Sequence, residues 1–379
     1  MKIFEKGNKK RKNILFIVNS INFFISHRIE LYESLKKDGY TIKVICGNER
    51  IKDAYINKSK YINFSNINFS RTEKNPLKIL ISIIQVIKFS YKFKPQNIHT
   101  VSPIGNLIGG LAAIFFKNTH LITAISGRGT LYIKKDIYTR IIKALFSVCE
   151  FVYLNKYRSS TITQNSYDLE EIKKKQIFKK HNKLVFGSGV DLSIFSPDFK
   201  NKIYDVCFIG RLSEDKGIID FIDAVSIAHK NNNHLKFLVL GEMQHDDKKI
   251  CNYLINQFKQ KPFIEYIGFK KNIVDYLNIS KIVCLPSKRE GMPRVVLEAS
   301  ACGVPSITYN VIGCNEAIVE DKNGYLVNDL SPVLLAEKII EVLNNKNYDL
   351  IKESTRAFAE KNFSINSVIN SHKELYKLF

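Results

Sequence analysis

Short apolar runs alternate along the chain with longer segments whose apolar residues recur every three or four positions. NILFIV (13–18) predicts a strand, and HRIELYESLKKDG (27–39) predicts a helix closed at Gly39. TIKVIC (41–46) is the next strand. PLKILISIIQVIKFSYKF (76–93) predicts a helix with Pro76 in its first turn, where a missing N–H costs nothing. NIHTVS and LITAI follow as strands. The pattern restarts after LVFGSGVDLSIFSPDFKNK (184–202), whose glycines, proline and polar residues mark a linker. Strands are then expected at YDVCFIG (204–210), LKFLVLG (235–241), FIEYIG (263–268), KIVCLPS (281–287) and VPSITY (304–309), each pair separated by a helical segment. FSINSVINSHKELYKLF (363–379) reads as a last amphipathic helix.

Strand–helix–strand alternation implies parallel sheets covered by helices. The expected fold is α/β, with two Rossmann-like domains whose mostly parallel sheets face a central cleft. The first covers 1–186 and the second 203–362, with a linker at 187–202 and 363–379 able to pack back on the first domain. Such folds bind ligands at the carboxyl ends of their strands.

Composition changes this picture in one respect. The chain has 379 residues and a net charge of +22, and the excess lies wholly in the first half. Residues 1–190 carry 34 basic and 12 acidic side chains, whereas residues 191–379 carry 24 of each. A half of this kind attracts an anionic surface, and the plainer alternative is a solvated lysine-rich exterior. The seven cysteines include no C-x-x-C pair, and Cys46, Cys207 and Cys284 lie in apolar runs. They read as core residues of a reducing compartment. No run approaches the roughly 18 apolar residues of a spanning helix; LIGGLAAIFF (107–116) is too short. The basic start lacks a small-x-small cleavage site, so the expected location is cytoplasmic, peripheral on the inner face of a membrane.

Candidate chemistry concentrates in KREGMPRVVLEASACGVPSI (288–307). Glu290 would lie in the loop after a buried strand. Pro293 would open a helix running to about Cys302 and ended by Gly303. Free N–H groups at that start suit a phosphate, and Glu298, further along the helix, could accept hydrogen bonds from hydroxyls. Two carboxylates flanking an anion hole suit a nucleotide sugar. Alone, Glu290 could equally be solvated and Glu298 paired with a surface lysine. FIGRLSEDKGIIDFIDAV (208–225) adds Gly210 at a strand end, then Arg211 and Lys216, which can hold a diphosphate by fork and point charge.

GRLSEDKG followed about 80 residues later by REGMPRVVLEASACGVP resembles the retaining glycosyltransferases of family 4, with the GT-B fold. GSGVDLSIFSP (187–197), VLGE (239–242), IGFKKNIVDYL (267–277) and IGCNEAIVEDKNGYLV (312–327) extend the likeness across the second domain in the order of that family. The resemblance implies that Arg211 and Lys216 bind the donor diphosphate and assist its departure. Glu290 would contact the donor sugar and Glu298 the ribose, while Gly291, Met292, Pro293 and Arg294 form the phosphate-binding helix start. It implies a UDP-sugar donor and no required metal, and the chain carries no D-x-D or His-rich signature. Asn315 stands where relatives often have Arg, which leaves that residue's part in donor choice open.

In the first domain, NSINFFISHRIELYESLKKDGYTIKVI, IHTVSPIGNLIGGLAAIFF and ISGRGTLYI resemble members that build surface polysaccharides. That subgroup includes enzymes adding N-acetylgalactosamine to an undecaprenyl-diphosphate sugar. Arg128 replaces a usual Leu, and a His many members carry near Ser126 is missing. His27 and Arg28, with Ser26 as N-cap, could face an acceptor diphosphate. His27 could also be a helix-start residue satisfied by backbone, and His99 a core residue of its strand.

The expected function is transfer of a sugar to a lipid-diphosphate-linked saccharide. Alternatives are a GT-B enzyme with a soluble acceptor, or a basic nucleic-acid- or membrane-binding protein without catalysis. No nucleic-acid fingerprint supports the last, and no G-x-G-x-x-G follows the first strand to support a nicotinamide enzyme.

Overall fold

The structure, a computed structural model, describes residues 12–70, 73, 75–127, 137–198, 201–243, 248–345 and 348–379. The first sheet has seven parallel strands: β1 (Asn13–Val18), β2 (Thr41–Gly47), β3 (Phe64–Ile67), β4 (Asn97–Val101), β5 (His120–Ile125), β6 (Ser159–Thr163) and β7 (His181–Leu184). Their order is β3-β2-β1-β4-β5-β6-β7. Its helices are α1 (Ile21–Lys37), the short α2 (Ile56–Ser59), α3 (Pro76–Phe93), α4 (Pro103–Ala113), α5 (Ile137–Leu154) and α6 (Ser166–Lys175).

The second sheet has six: β8 (Tyr204–Ile209), β9 (Phe237–Leu240), β10 (Ile264–Tyr266), β11 (Ser280–Leu285), β12 (Ser306–Tyr309) and β13 (Gly324–Val327). Their order is β10-β9-β8-β11-β12-β13, again parallel. Helices α7 (Ile218–Asn231), α8 (Lys248–Gln260), α9 (Val274–Asn278), α10 (Arg294–Ala301), α11 (Cys314–Ala317), α12 (Pro332–Leu343) and α13 (Tyr348–Asn362) connect and cover them. The chain ends in α14 (Ile365–Tyr376).

Both sheets are doubly wound, and period-2 alternation explains their burial. Ile14, Phe16 and Val18 of β1 enter one core layer and Leu15 and Ile17 the opposite one, all fully buried. That is why β1 reads as an unbroken apolar run. The strand order reverses beside β1 and β4 in the first sheet and beside β8 and β11 in the second. These switch points open crevices at the strands' carboxyl ends.

Helix α1 corrects an expectation. It starts at Ile21, with the Ser20 side chain accepting from Phe23 N, so Ser20 and not Ser26 is the N-cap. Ile21, Phe24, Ile25, Arg28, Ile29 and Tyr32 are buried at helical spacing, a periodicity hidden behind the apolar strand before it. Ser26 lies inside the helix, its hydroxyl donating to the carbonyls of Asn22 and Phe23. His27 and Arg28 accordingly sit in the second turn rather than at a loop end.

The chain crosses between the sheets twice, side by side. Val190 N donates to Phe363 O at 2.8 Å and Ile365 N to Val190 O at 3.0 Å. Gly189 has φ +73°, and a Cβ there would come within 2.6 Å of Ile365 Cα, so the close crossing requires glycine. Helix α14 then packs against α1. Val368, Ile369, Leu375 and Tyr376 share a core with Phe16, Phe24 and Ile29.

Candidate active site between the two sheets

The two strands at the second switch point end in the two motifs singled out above. Beyond β8, Gly210 N donates to Leu240 O at 3.0 Å, Arg211 follows, and a single 3₁₀ turn, Glu214–Lys216, leads to Gly217 and α7. Arg211 Nη2 pairs with Asp215 Oδ2 at 3.0 Å. Burial opposes the charge on Asp215, yet the Ser213 hydroxyl, Arg211 and Lys216 together hold its pKa below the usual value. Beyond β11, Ser287 Oγ donates to Glu290 Oε1 at 2.7 Å, and the same oxygen is ion-paired with Lys216 Nζ. Lys288 N donates to Asp215 O at 3.0 Å and closes the two loops onto each other. Parallel pairing of β8 with β11 therefore brings Arg211, Lys216 and Glu290 to one side of the cleft.

Helix α10 begins directly after this loop. Pro293 is its N-cap, one position earlier than a first-turn proline, and its carbonyl accepts from Val296 N at 3.0 Å. The N–H groups of Arg294 and Val295 precede the first intrahelical bond and remain available for an anion. One turn on, Arg294 Nε donates to Glu298 Oε1 at 2.7 Å. Glu298 is buried, and desolvation raises its pKa against the pull of Arg294. Arg294 also reaches the other domain, donating from Nη1 to the carbonyl of Ser26. Met292 is buried, and Gly291 lies against the first domain. A Cβ on Gly291 would stand 2.4 Å from Ser126 O, so only glycine fits there.

His27 is half-buried on α1, with Nδ1 2.6 Å from Ser26 Oγ and its ring stacked on Phe23 at 4.4 Å. Burial, then the charges of Arg294, Arg28 and, more weakly, Lys216, hold its pKa well below the ordinary histidine value. It is a neutral imidazole facing cations of the second domain. Arg28 goes elsewhere. It is buried, with Nη1 donating to His27 O at 2.9 Å and Ser188 Oγ at 3.2 Å, and burial foremost lowers its pKa to about 10. Arg28 thus ties α1 to the crossing segment instead of lining the cleft. Arg128 lies outside the described residues. His99 is a core residue: it is fully buried, stacks on Phe16 and contacts the Tyr376 hydroxyl.

The sequence did not single out the residues that join the domains opposite. Asn165 caps α6 and donates from Nδ2 to Gly291 O at 3.1 Å. Glu316 accepts from Ser166 N at 2.7 Å and Ser166 Oγ at 2.9 Å, and Arg289 pairs with buried Asp168 at 3.2 Å. The capping pattern N-S-Y-D at 165–168 was a readable signal for the helix start, though not for its partners in the second domain. Among the described residues, no group of three or more His, Cys, Asp or Glu is arranged to hold a metal ion.

Comparison with known proteins agrees with this architecture. Residues 191–362 match the family model "Glycosyl transferases group 1", and residues 13–166 match "Glycosyl transferase 4-like". The UDP-Gal:alpha-D-GlcNAc-diphosphoundecaprenol alpha-1,3-galactosyltransferase of Escherichia coli is 25% identical over 370 residues, covering 92% of each chain. The N,N'-diacetylbacillosaminyl-diphospho-undecaprenol alpha-1,3-N-acetylgalactosaminyltransferase of Campylobacter jejuni is 25% identical over 325 residues, covering 81% of this chain and 84% of the relative. Among solved structures, Anabaena HepE in complex with UDP and glucose superposes with a TM-score of 0.76 at 16% identity, covering 96% of this chain and 98% of HepE.

Proposed function

Because the chain belongs to the GT-B glycosyltransferases that join a glycosyl transferase 4-like domain to a group 1 domain, we propose that it transfers a hexose or N-acetylhexosamine from a UDP-sugar to a lipid-diphosphate-linked saccharide, with retention of anomeric configuration. The reaction would serve assembly of a surface polysaccharide, O-antigen or glycoprotein glycan, at the cytoplasmic face of a membrane. In this reading residues 203–362 bind the donor, residues 1–186 with the returning α14 bind the acceptor, and 187–202 is the linker.

The observation that carries the reading is the convergence of Arg211, Lys216 and Glu290 at the switch point, beside the open N–H groups of α10. As the bond from sugar C1 to the diphosphate oxygen breaks, its electron pair passes to the diphosphate. Arg211, Lys216 and the α10 start neutralise that growing charge. The acceptor oxygen bonds to C1 on the face the diphosphate leaves, and its proton passes to the departing phosphate oxygen. Glu290, held by Ser287 and Lys216, would orient the sugar's hydroxyls. Glu298 would take the ribose, and Gly210, Gly291, Met292 and Pro293 would shape the phosphate seat. Arg294 would link that seat to α1, where His27 meets the acceptor. The Escherichia coli and Campylobacter relatives, named for diphosphoundecaprenol-linked substrates, support the acceptor class. The UDP bound to HepE supports the nucleotide. Proton NMR of the new linkage tests the stereochemistry: an α-linked product from an α-linked UDP-sugar is expected, and a β-linkage would refute retention.

A further inference from the structure

Helix α3 is apolar on both sides but covered on one. Ile79, Ile83, Val86 and Ile87 pack inward. Leu77, Leu80, Ile81, Ile84 and Tyr91, spaced as one helical face, are 43–67% exposed. Helix α5 repeats the arrangement, with Leu145, Val148, Phe151 and Val152 turned outward. Between them α4 lies buried on the sheet and packs against both neighbours, and its C-terminal turn exposes Ile114 and Phe115. Three adjacent helices thus present one apolar surface, which a soluble protein rarely leaves open without a partner.

The charges around this surface identify the partner. From Pro76 to Thr119 the chain contains no Asp or Glu. The one carboxylate of α5, Glu150, is paired with Lys175 at 2.5 Å. Lys78, Lys88, Lys92, Lys94 and Lys117 are exposed along the same elements. An apolar surface with Lys88 on the exposed face of α3 and further lysines beside it matches the acyl–headgroup boundary of an anionic leaflet, where long cationic side chains reach the headgroups. A second copy of the chain would set one cationic surface against another.

We propose that the outer face of α3 and α5, with the Ile114–Phe115 turn between them, docks on an anionic lipid leaflet. Its use in catalysis rests on the lipid-linked acceptor proposed above. Helix α3 runs opposite to the strands, so its Leu77 end lies at their carboxyl edge, the rim of the cleft. With 18 residues it spans ~27 Å, and a leaflet along it would deliver a lipid diphosphate to that rim.

The test is sedimentation of the full chain with vesicles of 30% phosphatidylglycerol in phosphatidylcholine, paired with calorimetric titration of UDP. The wild-type protein should bind the vesicles, less tightly as salt rises. Leu80→Glu/Ile84→Glu/Val148→Glu should bind at least tenfold more weakly while its UDP affinity is unchanged. Leu80→Ser/Ile84→Ser/Val148→Ser serves as a milder set should the glutamates disturb folding. Absence of wild-type binding, wild-type binding by both sets, or a wild-type dimer that the substitutions dissociate without altering vesicle binding would each overturn the proposal. Vesicle binding without UDP binding would instead refute the donor-site reading and leave the docking face standing.

Discussion

Lys216 and Glu290, 74 residues apart, form an ion pair at the carboxyl ends of β8 and β11, and Ser287 donates to the same carboxylate oxygen. Glu290 is only 11% exposed. Lys216→Met therefore leaves a half-satisfied carboxylate and should cost ~1–3 kcal/mol in urea unfolding, while Lys216→Met/Glu290→Gln should regain most of it. Turnover should fall by at least ~10²-fold in both, because the charge at the leaving diphosphate is lost in both. Near-wild-type turnover in the single variant would remove Lys216 from the mechanism.

Arg211 isolates the catalytic contribution from the structural one. Its side chain is more exposed and pairs with Asp215, one turn away. Arg211→Ala should change stability by less than ~1 kcal/mol, as exposed pairs do, yet lower kcat by ~10²-fold. Loss of both in proportion would mark it as a folding residue.

Neutralisation by Arg211, Lys216 and the start of α10 predicts that transfer persists in EDTA. Abolition by EDTA with recovery on adding Mn²⁺ or Mg²⁺ would show that these groups are insufficient.

The first domain should weaken in mild acid. His99, His120 and His372 are buried, and burial foremost lowers each pKa, with His372 and Arg28 adding at His99, Lys156 at His120, and Arg28 at His372. His120 and His372 are pushed down to about 3. The unfolded chain takes up these protons near pH 6.5, so stability is full above that value and is lost as pH falls towards about 3. Each such histidine contributes a slope of about 1.4 kcal/mol per pH unit. Urea midpoints should drop between pH 7.5 and 5.5. His372→Leu should shrink the drop because it removes one titrating group, although it also loses the hydrogen bond from His372 Nδ1 to Val368 O at 2.8 Å.

Most strands buried on both faces were legible because apolar and β-branched residues dominate them, even where polar ones intervene, as His99 and Thr100 do in β4. Strand β6 was not: SSTIT carries hydroxyls, yet all five residues are buried. Two of its hydroxyls find partners inside, Ser159 with Leu154 O and Ser160 with His120, while those of Thr161 and Thr163 are buried without one. The edge strands β3 and β7 carry Asn, His and Lys and lack an apolar run. At the site, each local signal was a strand end followed by a basic or acidic residue, which sequence spacing reveals. Burial of Arg28, the reach of Arg294 to Ser26, and the Glu316–Ser166 contact depend on how two separately wound sheets meet. No periodicity in the chain encodes that meeting.

The central claim is best tested by mass spectrometry of a short-chain lipid-diphosphate saccharide incubated with the chain and, in turn, each of a panel of UDP- and GDP-sugars. A mass gain of one hexose or N-acetylhexosamine is expected with a UDP-sugar, and its loss in Lys216→Met. No gain on the lipid-diphosphate acceptor with any donor, or transfer to the free reducing saccharide at an equal rate, would contradict it.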